Sequence, residues 1–200
     1  MLNDILKPSK EDQIEKVLDS IFSLYHRLGN EEYGEKVTML MHMMQSAQWA
    51  EEKGLSNEMV VAAFLHDIGH FFEKEEKMGI YGTMAHDDLG GEYLKDQGFP
   101  ERMAKLVASH VNAKRYLTAV EPSYFGELSD ASLQTLKFQG GPMNESEVNE
   151  FESDPLYKEY VEIRRLDDLG KDEHKKVEKA DLERMRNRIK EYLQENIQVY

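Results

Sequence analysis

The segment AAFLHDIGH, residues 62–70, is the feature that most limits how this chain can fold. A run of small and large apolar residues ends abruptly in His66 and Asp67, and a second histidine, His70, follows four residues after the first. The apolar run is typical of a buried helix. Burying ionisable side chains costs free energy unless they pair with one another or bind a metal. The fold therefore has to bring partners or metal ions to the end of this helix.

Apolar residues recur at helical spacing along most of the chain. The first such helix follows Ser9, which forms a capping-box pattern with Asp12. Further helices are predicted over residues 36–53, from Ser56 into the segment at 62–70, over 83–98, after Pro100 through His110 and Lys114, over 128–138, over 155–169 and over the C-terminal segment. The sequence contains no alternating strand pattern and no internal repeat. It therefore predicts an all-α protein, one helical bundle over residues 1–200.

The composition limits the partners of this domain. The 200 residues carry a formal net charge of −14, which disfavours nucleic acid because binding to phosphate backbones needs a basic face. An acidic chain that binds a small anion needs a few basic residues concentrated in one pocket. The absence of cysteine excludes disulfides, thiolate nucleophiles and iron–sulfur clusters. No apolar run reaches the ~20 residues of a membrane span and the first residues lack a signal-peptide pattern, so we expect no membrane partner and a cytoplasmic location.

Four of the seven histidines form a series with two aspartates, and each member lies within or at the end of an apolar helical segment. The series comprises His42, His66, Asp67, His86, His110 and Asp167. A single histidine on an apolar face is more often a hydrogen-bonded core residue than a ligand, but all six positions together indicate a metal site. Nitrogen and carboxylate ligands without thiolate suit iron, zinc or manganese. Six ligands exceed what one open catalytic metal usually takes, which indicates two metals, with Asp67 as the expected bridge.

The other three histidines have different surroundings. His26 and His174 lie in polar segments and are expected to be solvated. His70 follows His66 by one helical turn if the helix continues, so it is expected to support a ligand or to contact the substrate.

The spacing of the six residues resembles that of the HD-domain superfamily, which is named for the His-Asp dipeptide. Most members are metal-dependent phosphohydrolases, and a smaller branch consists of mixed-valent diiron oxygenases. The rest of the chain is similar to the phosphonate oxygenases of that smaller branch. The stretches that carry the similarity are YGEKVTMLMH (33–42), LHDIGH (65–70), SHVNAKRYL (109–117), LSDASLQTLKFQGGPM (128–143) and IRRLDDLGK (163–171).

The resemblance implies a role for each matching position. One iron would take His42, His66, Asp67 and Asp167, and the other would share Asp67 and take His86 and His110. The implied cofactor is therefore a pair of iron ions, Fe2+ and Fe3+. The phosphonate contacts fall on Lys114, Ser132 and Arg164, and a mobile gate falls on Tyr33 and Glu35. Tyr33 lies one residue nearer the first histidine than in the family pattern, and the interval from Asp67 to His86 is slightly shorter.

The chemistry of the basic residues agrees with this assignment. Lys114 lies four residues after His110 and Arg164 lies three residues before Asp167, so each cation shares a helix face with a proposed ligand. Arginine grips a phosphonate with a planar fork, whereas lysine supplies a point charge. The alternative is that both are surface charges in salt bridges. Glu35 follows Gly34 in a predicted loop, where the alternative to a gate is an ordinary surface turn.

The expected reaction is the oxidative cleavage of a carbon–phosphorus bond by O2. The expected substrate is a 1-hydroxy-2-aminoethylphosphonate, either a primary amine that yields glycine or the N-trimethylated compound that yields glycine betaine, with phosphate as the second product. Glu35 favours the primary amine, whereas Met78, Tyr81 and Tyr116 offer an apolar and aromatic surface for a methylated ammonium group. For each of these three residues, packing in the core is the open alternative. Two alternatives remain open, a phosphohydrolase in which the metals activate water and a sensor without catalysis. The sequence does not predict the oligomeric state.

Overall fold

The computed structural model describes residues 8–32, 35–72, 78 and 81–198. Within these residues the chain forms ten α-helices and no strand, which confirms the all-α prediction. The helices are α1 (Lys10–Leu28), α2 (Met39–Glu52), α3 (Asn57–Leu65), α4 (His86–Asp96), α5 (Glu101–Ala108), α6 (His110–Val120), α7 (Asp130–Phe138), α8 (Glu145–Ser153), α9 (Tyr157–Leu169) and α10 (Lys179–Asn196). Short 3-10 turns lie at Ile68–Phe71 and Tyr124–Gly126.

Hydroxyl side chains start the helices that lead into the site. Ser9 and Asp12 form the predicted capping box of α1. Thr38 and Ser56 accept hydrogen bonds from the first turns of α2 and α3. These caps satisfy backbone N–H groups that have no partner within the helix. Because Thr38 is the cap, α2 begins at Met39, three residues later than the sequence pattern predicts.

Helix α3 lies at the centre of the bundle. All its residues from Met59 to Leu65 are buried, and it packs against α2, α5, α9 and α10. A helix surrounded in this way is apolar on every face. The first polar side chains after it, His66 and Asp67, are therefore also inside the protein. The central helix thus delivers the His-Asp dipeptide into the interior.

The helix predicted from Pro100 onward is divided in two. Helix α5 ends at Ala108, Ser109 has φ −107° and ψ −3°, and His110 begins α6. The Nδ1–H of His110 donates to the carbonyl oxygen of Val107 at 2.9 Å, a group that a continuous helix pairs with the N–H of residue 111. The prediction of one continuous helix was wrong, although His110 and Lys114 do share α6.

Two other features differ from the sequence pattern. Helix α3 ends at Leu65 and is followed by a 3-10 turn, so His70 is not carried by a continuation of the helix. Helix α8 was missed, although Asn144 and Glu147 form a capping box at its start. His26 and His174 are exposed, as predicted. No helix in the described part of the chain is long and apolar enough to cross a membrane.

Candidate metal centre and anion pocket

Six side chains from five helical segments converge at one point inside the bundle. They are the six of the sequence series, His42, His66, Asp67, His86, His110 and Asp167, and none is more than 9% exposed. Helix α2 supplies the first, the end of α3 the next two, α4 and α6 one each, and α9 the last. Burying this many ionisable groups together is unfavourable unless they share protons or metal ions.

Two of these residues contact one carboxylate oxygen of Asp67. Asp67 Oδ2 lies 3.4 Å from Nε2 of His42 and 3.4 Å from Nε2 of His66. The two imidazole Nε2 atoms are 3.2 Å apart. Asp167 Oδ1 completes this donor set at 3.3 Å from His42 Nε2.

A second donor set surrounds the other carboxylate oxygen of Asp67. Asp67 Oδ1 lies 3.4 Å from His86 Nε2 and 3.2 Å from His110 Nε2. These two Nε2 atoms are 3.0 Å apart. His70 stands at the edge of this set, with its Nε2 3.9 Å from Asp67 Oδ1 and its ring stacked 3.8 Å from that of His86. Asp67 thus presents one oxygen to each of two donor sets.

Hydrogen bonds to the backbone fix which nitrogen of each imidazole faces the centre. The Nδ1 atoms of His66, His86 and His110 each donate to the carbonyl oxygen three residues earlier, at 2.8, 3.1 and 2.9 Å. His42 Nδ1 donates instead to the carbonyl of Gly170 at 2.9 Å. In the neutral form that metal binding requires, each imidazole turns an unprotonated Nε2 toward the centre, and this is the tautomer of a metal ligand.

The donor spacing fits a bound metal ion. A metal with bonds of about 2.0–2.1 Å to nitrogen, as in zinc sites, holds neighbouring ligand atoms ~3.0–3.4 Å apart. Two lone pairs aimed at each other across 3.0 Å, as at His86 and His110, repel unless a cation lies between them. The buried donor groups therefore have the arrangement of two adjacent cation sites that share Asp67.

The electrostatics of the centre call for positive charge. Burial alone would raise the pKa of Asp67, but His66 and the neighbouring imidazoles hold it well below its ordinary value. Burial alone would lower the pKa of His42, yet hydrogen bonds to Asp167 and Asp67 raise it to about 10. Burial and the imidazole of His70 hold the pKa of His86 well below its ordinary value. The negative charge of the carboxylates thus attracts a cation to the centre, and a metal ion would supply that positive charge.

A pocket opens directly onto this centre. Its empty volume is about 590 Å³ including the mouth, and it is lined by the proposed phosphonate contacts Lys114, Ser132 and Arg164 together with His42, Asp67 and Asp167. We call Lys114, Ser132 and Arg164 the anion pocket. All three are buried, which is unusual for lysine and arginine and requires partners. The sequence prediction that these residues lie beside the ligands agrees with their placement.

Arg164 is held by several acceptors at once. Its two Nη atoms donate to the carboxylates of Asp167 and Asp168, and its Nε donates to the Tyr124 hydroxyl at 2.8 Å. Nη2 also reaches the Ser132 hydroxyl at 3.3 Å. Arg164 therefore connects the anion pocket to a proposed metal ligand through a single guanidinium group.

Lys114 differs from Arg164 because it has no carboxylate partner among the described residues. Its Nζ donates to the Thr135 hydroxyl at 2.8 Å. Burial, followed by repulsion from Arg164, lowers the pKa of Lys114 to about 7. A buried ammonium without a counter-ion gains most from an anionic ligand.

The residues proposed for the amine end are only partly placed at the pocket. Glu35 and Tyr81 line it, whereas Tyr33 lies outside the described residues. The sequence-based suggestion for Tyr116 was wrong, because its ring stacks on Phe151 4.8 Å away and its hydroxyl donates to Glu152. Met78 is buried and is not part of the pocket lining.

The residues that hold the pocket side chains in place were not predicted from the sequence. Tyr124 and Asp168 hold Arg164, and Thr135 holds Lys114. Lys171 lines the pocket as well, with its Nζ 3.2 Å from Ser132 Oγ. Its position four residues after Asp167, in the stretch IRRLDDLGK, was the available signal.

Comparison with known proteins agrees with this geometry. The family model described as HD domain matches residues 39–140, slightly more than half of the chain. The chain therefore belongs to the HD-domain family. The buried histidine and aspartate clusters of the described residues have the ligand types and spacing of a metal site, which agrees with a metal cofactor in this family.

Individual relatives narrow the class further. The chain is 45% identical over 158 residues to [1-hydroxy-2-(trimethylamino)ethyl]phosphonate dioxygenase (glycine-betaine-forming) of Leisingera caerulea, covering 78% of this chain and 80% of that protein. It is 37% identical over 173 residues to hydroxymethylphosphonate dioxygenase of Gimesia maris, covering 85% of each. An uncharacterised protein of Acanthamoeba polyphaga mimivirus is 41% identical over 189 residues, covering 92% of this chain and 85% of that protein. The chain is thus a member of the HD-domain phosphonate dioxygenases, which confirms the predicted oxygenase class over the phosphohydrolase alternative.

Proposed function

We propose that this protein uses O2 and two iron ions, Fe2+ and Fe3+, to cleave the carbon–phosphorus bond of a 1-hydroxy-2-aminoethylphosphonate. One observation carries the proposal. Asp67 presents one carboxylate oxygen to each of two donor sets, and the pocket above them is also lined by Lys114 and Arg164. Two metal positions and an anion pocket in direct contact match an oxygenase that acts on a phosphonate. The products are phosphate and either glycine or glycine betaine.

The two irons would supply the redox chemistry with dioxygen. We assign His42, His66, Asp67 and Asp167 to one iron, and Asp67, His86 and His110 to the other. The reaction needs no external reductant, because the carbon that bears the hydroxyl group supplies all the electrons as it becomes a carboxylate. One oxygen atom is added on each side of the cleaved bond, so that dioxygen, substrate and products balance.

The protein's own residues bind and orient the substrate. Lys114 and Arg164 would offset the charge of the phosphonate and Ser132 would donate a hydrogen bond to it, which places the adjacent carbon over the metal centre. Arg164 also donates to Asp167, so the same guanidinium aligns the anion and a metal ligand. Fixing both groups on one rigid cation limits the motion of the bond that is to be cleaved.

His70 is suited to donate a hydrogen bond at the pocket floor. The backbone N–H of Thr83 donates to His70 Nδ1 at 3.1 Å, so the proton of the neutral ring is on Nε2. Burial lowers the pKa of His70 to about 4, which keeps the ring neutral at physiological pH. We propose that this Nε2–H donates to an oxygen of the substrate or of dioxygen near Asp67.

The amine end of the substrate would lie toward Glu35 at the mouth of the pocket. A carboxylate pairs with a primary ammonium by charge and hydrogen bonds, which favours the primary amine. Among the described residues, Tyr81 is the one tyrosine, phenylalanine or tryptophan that lines the pocket, so a full cage of such rings for a methylated ammonium is absent there. The gate role of Tyr33 remains a prediction, as do the cytoplasmic location and the single HD domain over residues 1–200.

Oxygen dependence tests the proposed function. We expect iron-loaded protein to release phosphate from 1-hydroxy-2-aminoethylphosphonate or its N-trimethylated form in air. Under nitrogen we expect no more phosphate than the residual oxygen can account for. Phosphate would be measured colorimetrically and the amino acid by mass spectrometry. Equal release without oxygen, or release by manganese-loaded protein under nitrogen, would instead support hydrolysis.

The pKa of Lys114 predicts how substrate binding depends on pH. Only the protonated amine attracts the phosphonate, and its pKa of about 7 means that this form is lost as the pH rises above 7. We therefore expect KM to rise toward tenfold per pH unit above neutrality. Lys114→Arg should keep a low KM up to about pH 9, because arginine stays protonated there. Measuring KM from pH 6.5 to 9 tests this prediction. The same rise of KM above pH 7 in the wild type and in Lys114→Arg would contradict it.

A further inference from the structure

We propose that Lys171 is a third cationic contact for the substrate anion, and that it exchanges Glu35 for the phosphonate when the substrate binds. The proposal rests on the phosphonate chemistry assigned to this pocket. Lys171 and Glu35 both line the pocket, and Lys171 Nζ lies 2.8 Å from Glu35 Oε1.

The backbone on both sides of Lys171 is fixed to helix α2. The carbonyl of Gly170 accepts a hydrogen bond from His42 Nδ1 at 2.9 Å. The side-chain amide of Gln45 forms two hydrogen bonds of 2.9 Å with the backbone of Asp172, one to its carbonyl and one from its N–H. An added Cβ at residue 170 would overlap Ser46 Oγ, so the turn lies directly against the helix. Lys171 therefore extends into the pocket from a fixed position next to a proposed metal ligand.

The ammonium group of Lys171 has one acceptor for each of its three hydrogens. Besides Glu35, Nζ lies 3.2 Å from the hydroxyl oxygens of both Ser129 and Ser132. Two of these partners are neutral and one is charged. A phosphonate oxygen in place of the Glu35 carboxylate would keep all three hydrogen bonds of this ammonium group.

Ser132 shows where an anion would be received. Its hydroxyl oxygen accepts from Lys171 at 3.2 Å and from Arg164 Nη2 at 3.3 Å, which uses both of its lone pairs. Its remaining hydrogen has no acceptor among the residues that the structure describes. Two cations thus force this hydroxyl to act as a donor between them, the orientation that a phosphonate oxygen requires.

The pair of Lys171 and Glu35 is open enough to exchange partners. Their side chains are 19% and 25% exposed, whereas that of Arg164 is 4% exposed. Glu35 Oε1 also accepts from the Ser129 hydroxyl at 2.6 Å, so a phosphonate oxygen that displaces it has to accept from both Lys171 and Ser129. A phosphonate dianion brings more negative charge than the carboxylate it displaces and has further contacts in the anion pocket. Glu35 is then released at the mouth of the pocket.

Binding of methylphosphonate tests this role separately from catalysis. This probe has the anionic head but neither the hydroxyl nor the amine, and its affinity for metal-loaded protein can be measured by isothermal titration calorimetry under nitrogen. We expect Lys171→Met to weaken binding about tenfold, as expected for loss of a charged hydrogen bond. Glu35→Gln should tighten binding several-fold because the competing carboxylate is gone. Lys175→Met, which alters a lysine paired with Glu52 at 3.8 Å outside the pocket lining, is the matched control and should leave affinity unchanged.

The fixed turn has its own test. Gln45→Met removes both hydrogen bonds to Asp172 and should weaken methylphosphonate binding in the wild type but not in the Lys171→Met background. An equal loss in both backgrounds would show that Gln45 acts without Lys171 and would overturn the positioning role.

The outcomes separate this inference from the proposed function. Unchanged affinity in Lys171→Met, or weaker binding in Glu35→Gln, would show that Lys171 only tethers residue 35, and the proposal would fall. Affinities that change as expected, in a protein that releases no phosphate from hydroxyphosphonates in air, would support the role of Lys171 and contradict the proposed reaction.

Discussion

Asp67→Asn should abolish oxygen-dependent phosphate release and reduce the metal content by at least half. Asparagine has nearly the same shape, but its amide nitrogen cannot replace the second carboxylate oxygen, and the negative charge is lost. In the structure Asp67 Oδ2 faces His42 and His66, while Oδ1 faces His86 and His110. One donor set thus loses its oxygen and the other faces a neutral carbonyl. We expect activity to fall at least about a thousandfold, more than for any single change in the anion pocket.

Metal analysis together with activity provides the measurement for Asp67. Metal per chain would be determined by mass spectrometry after iron loading and desalting, and phosphate release would be followed in air. Asp88→Asn is a suitable control, because Asp88 is exposed on the first turn of α4 and lies outside both donor sets. If Asp67→Asn kept two metals per chain and normal turnover, Asp67 would not be the bridge and the two-site arrangement would be wrong.

The sequence was informative wherever chemistry and local structure coincide. His66, His86 and His110 each hydrogen-bond through Nδ1 to a carbonyl three residues earlier, so their orientation depends on a few neighbouring residues. Lys114 and Arg164 were assigned from the family resemblance, and their spacing from His110 and Asp167 agreed with that assignment. Such spacing along one helix can be read directly from a single sequence.

The sequence was less informative about contacts between distant segments. The hydrogen bonds of Gln45 to Asp172 span 127 positions, and that of Tyr124 to Arg164 spans 40. No pattern in one sequence pairs such residues, because their proximity depends on how helices pack. Tyr116 was misplaced for the same reason, since the face of α6 that it occupies is set by packing against Phe151.

The break between α5 and α6 is a further case. No glycine or proline lies near Ser109 to mark a helix end in the sequence. At the break, His110 Nδ1 donates to the Val107 carbonyl and His110 Nε2 lies 3.2 Å from Asp67 Oδ1. The helix boundary here thus coincides with a residue of the functional site.

Gly69→Ala should have the largest effect on stability among single methyl additions near the centre. Gly69 lies between Asp67 and His70, in the 3-10 turn that packs against α4. An added Cβ would overlap the carbonyl oxygen of His86 and would lie 2.7 Å from the backbone nitrogen of Gly90. Both neighbours are backbone atoms of the helix that carries His86, so side-chain rotation cannot relieve the overlap. Either the turn or α4 must move.

The displacement should weaken folding and the second donor set together. Overpacking that side chains can absorb costs about 1–3 kcal/mol, so a clash between backbone segments should lower the free energy of unfolding by at least ~3 kcal/mol. Any folded fraction should bind fewer metal ions, because His86 shifts away from His110 and Asp67. Urea denaturation of the metal-free protein and metal analysis of the iron-loaded protein give the two readouts.

Two other glycines are expected to show smaller losses of stability when they are replaced by alanine. At Gly90 an added Cβ would lie 3.1 Å from Val107 Cγ1, a side-chain atom that can shift, whereas at Gly126 no atom lies within 4 Å. Gly90→Ala should therefore be intermediate, and Gly126→Ala should change the free energy of unfolding by no more than about 0.5 kcal/mol. Failure of Gly69→Ala to fold agrees with this order. Stability and metal content in Gly69→Ala equal to those of Gly126→Ala would show that the turn does not pack closely against α4, and the positioning of His86 would need another explanation.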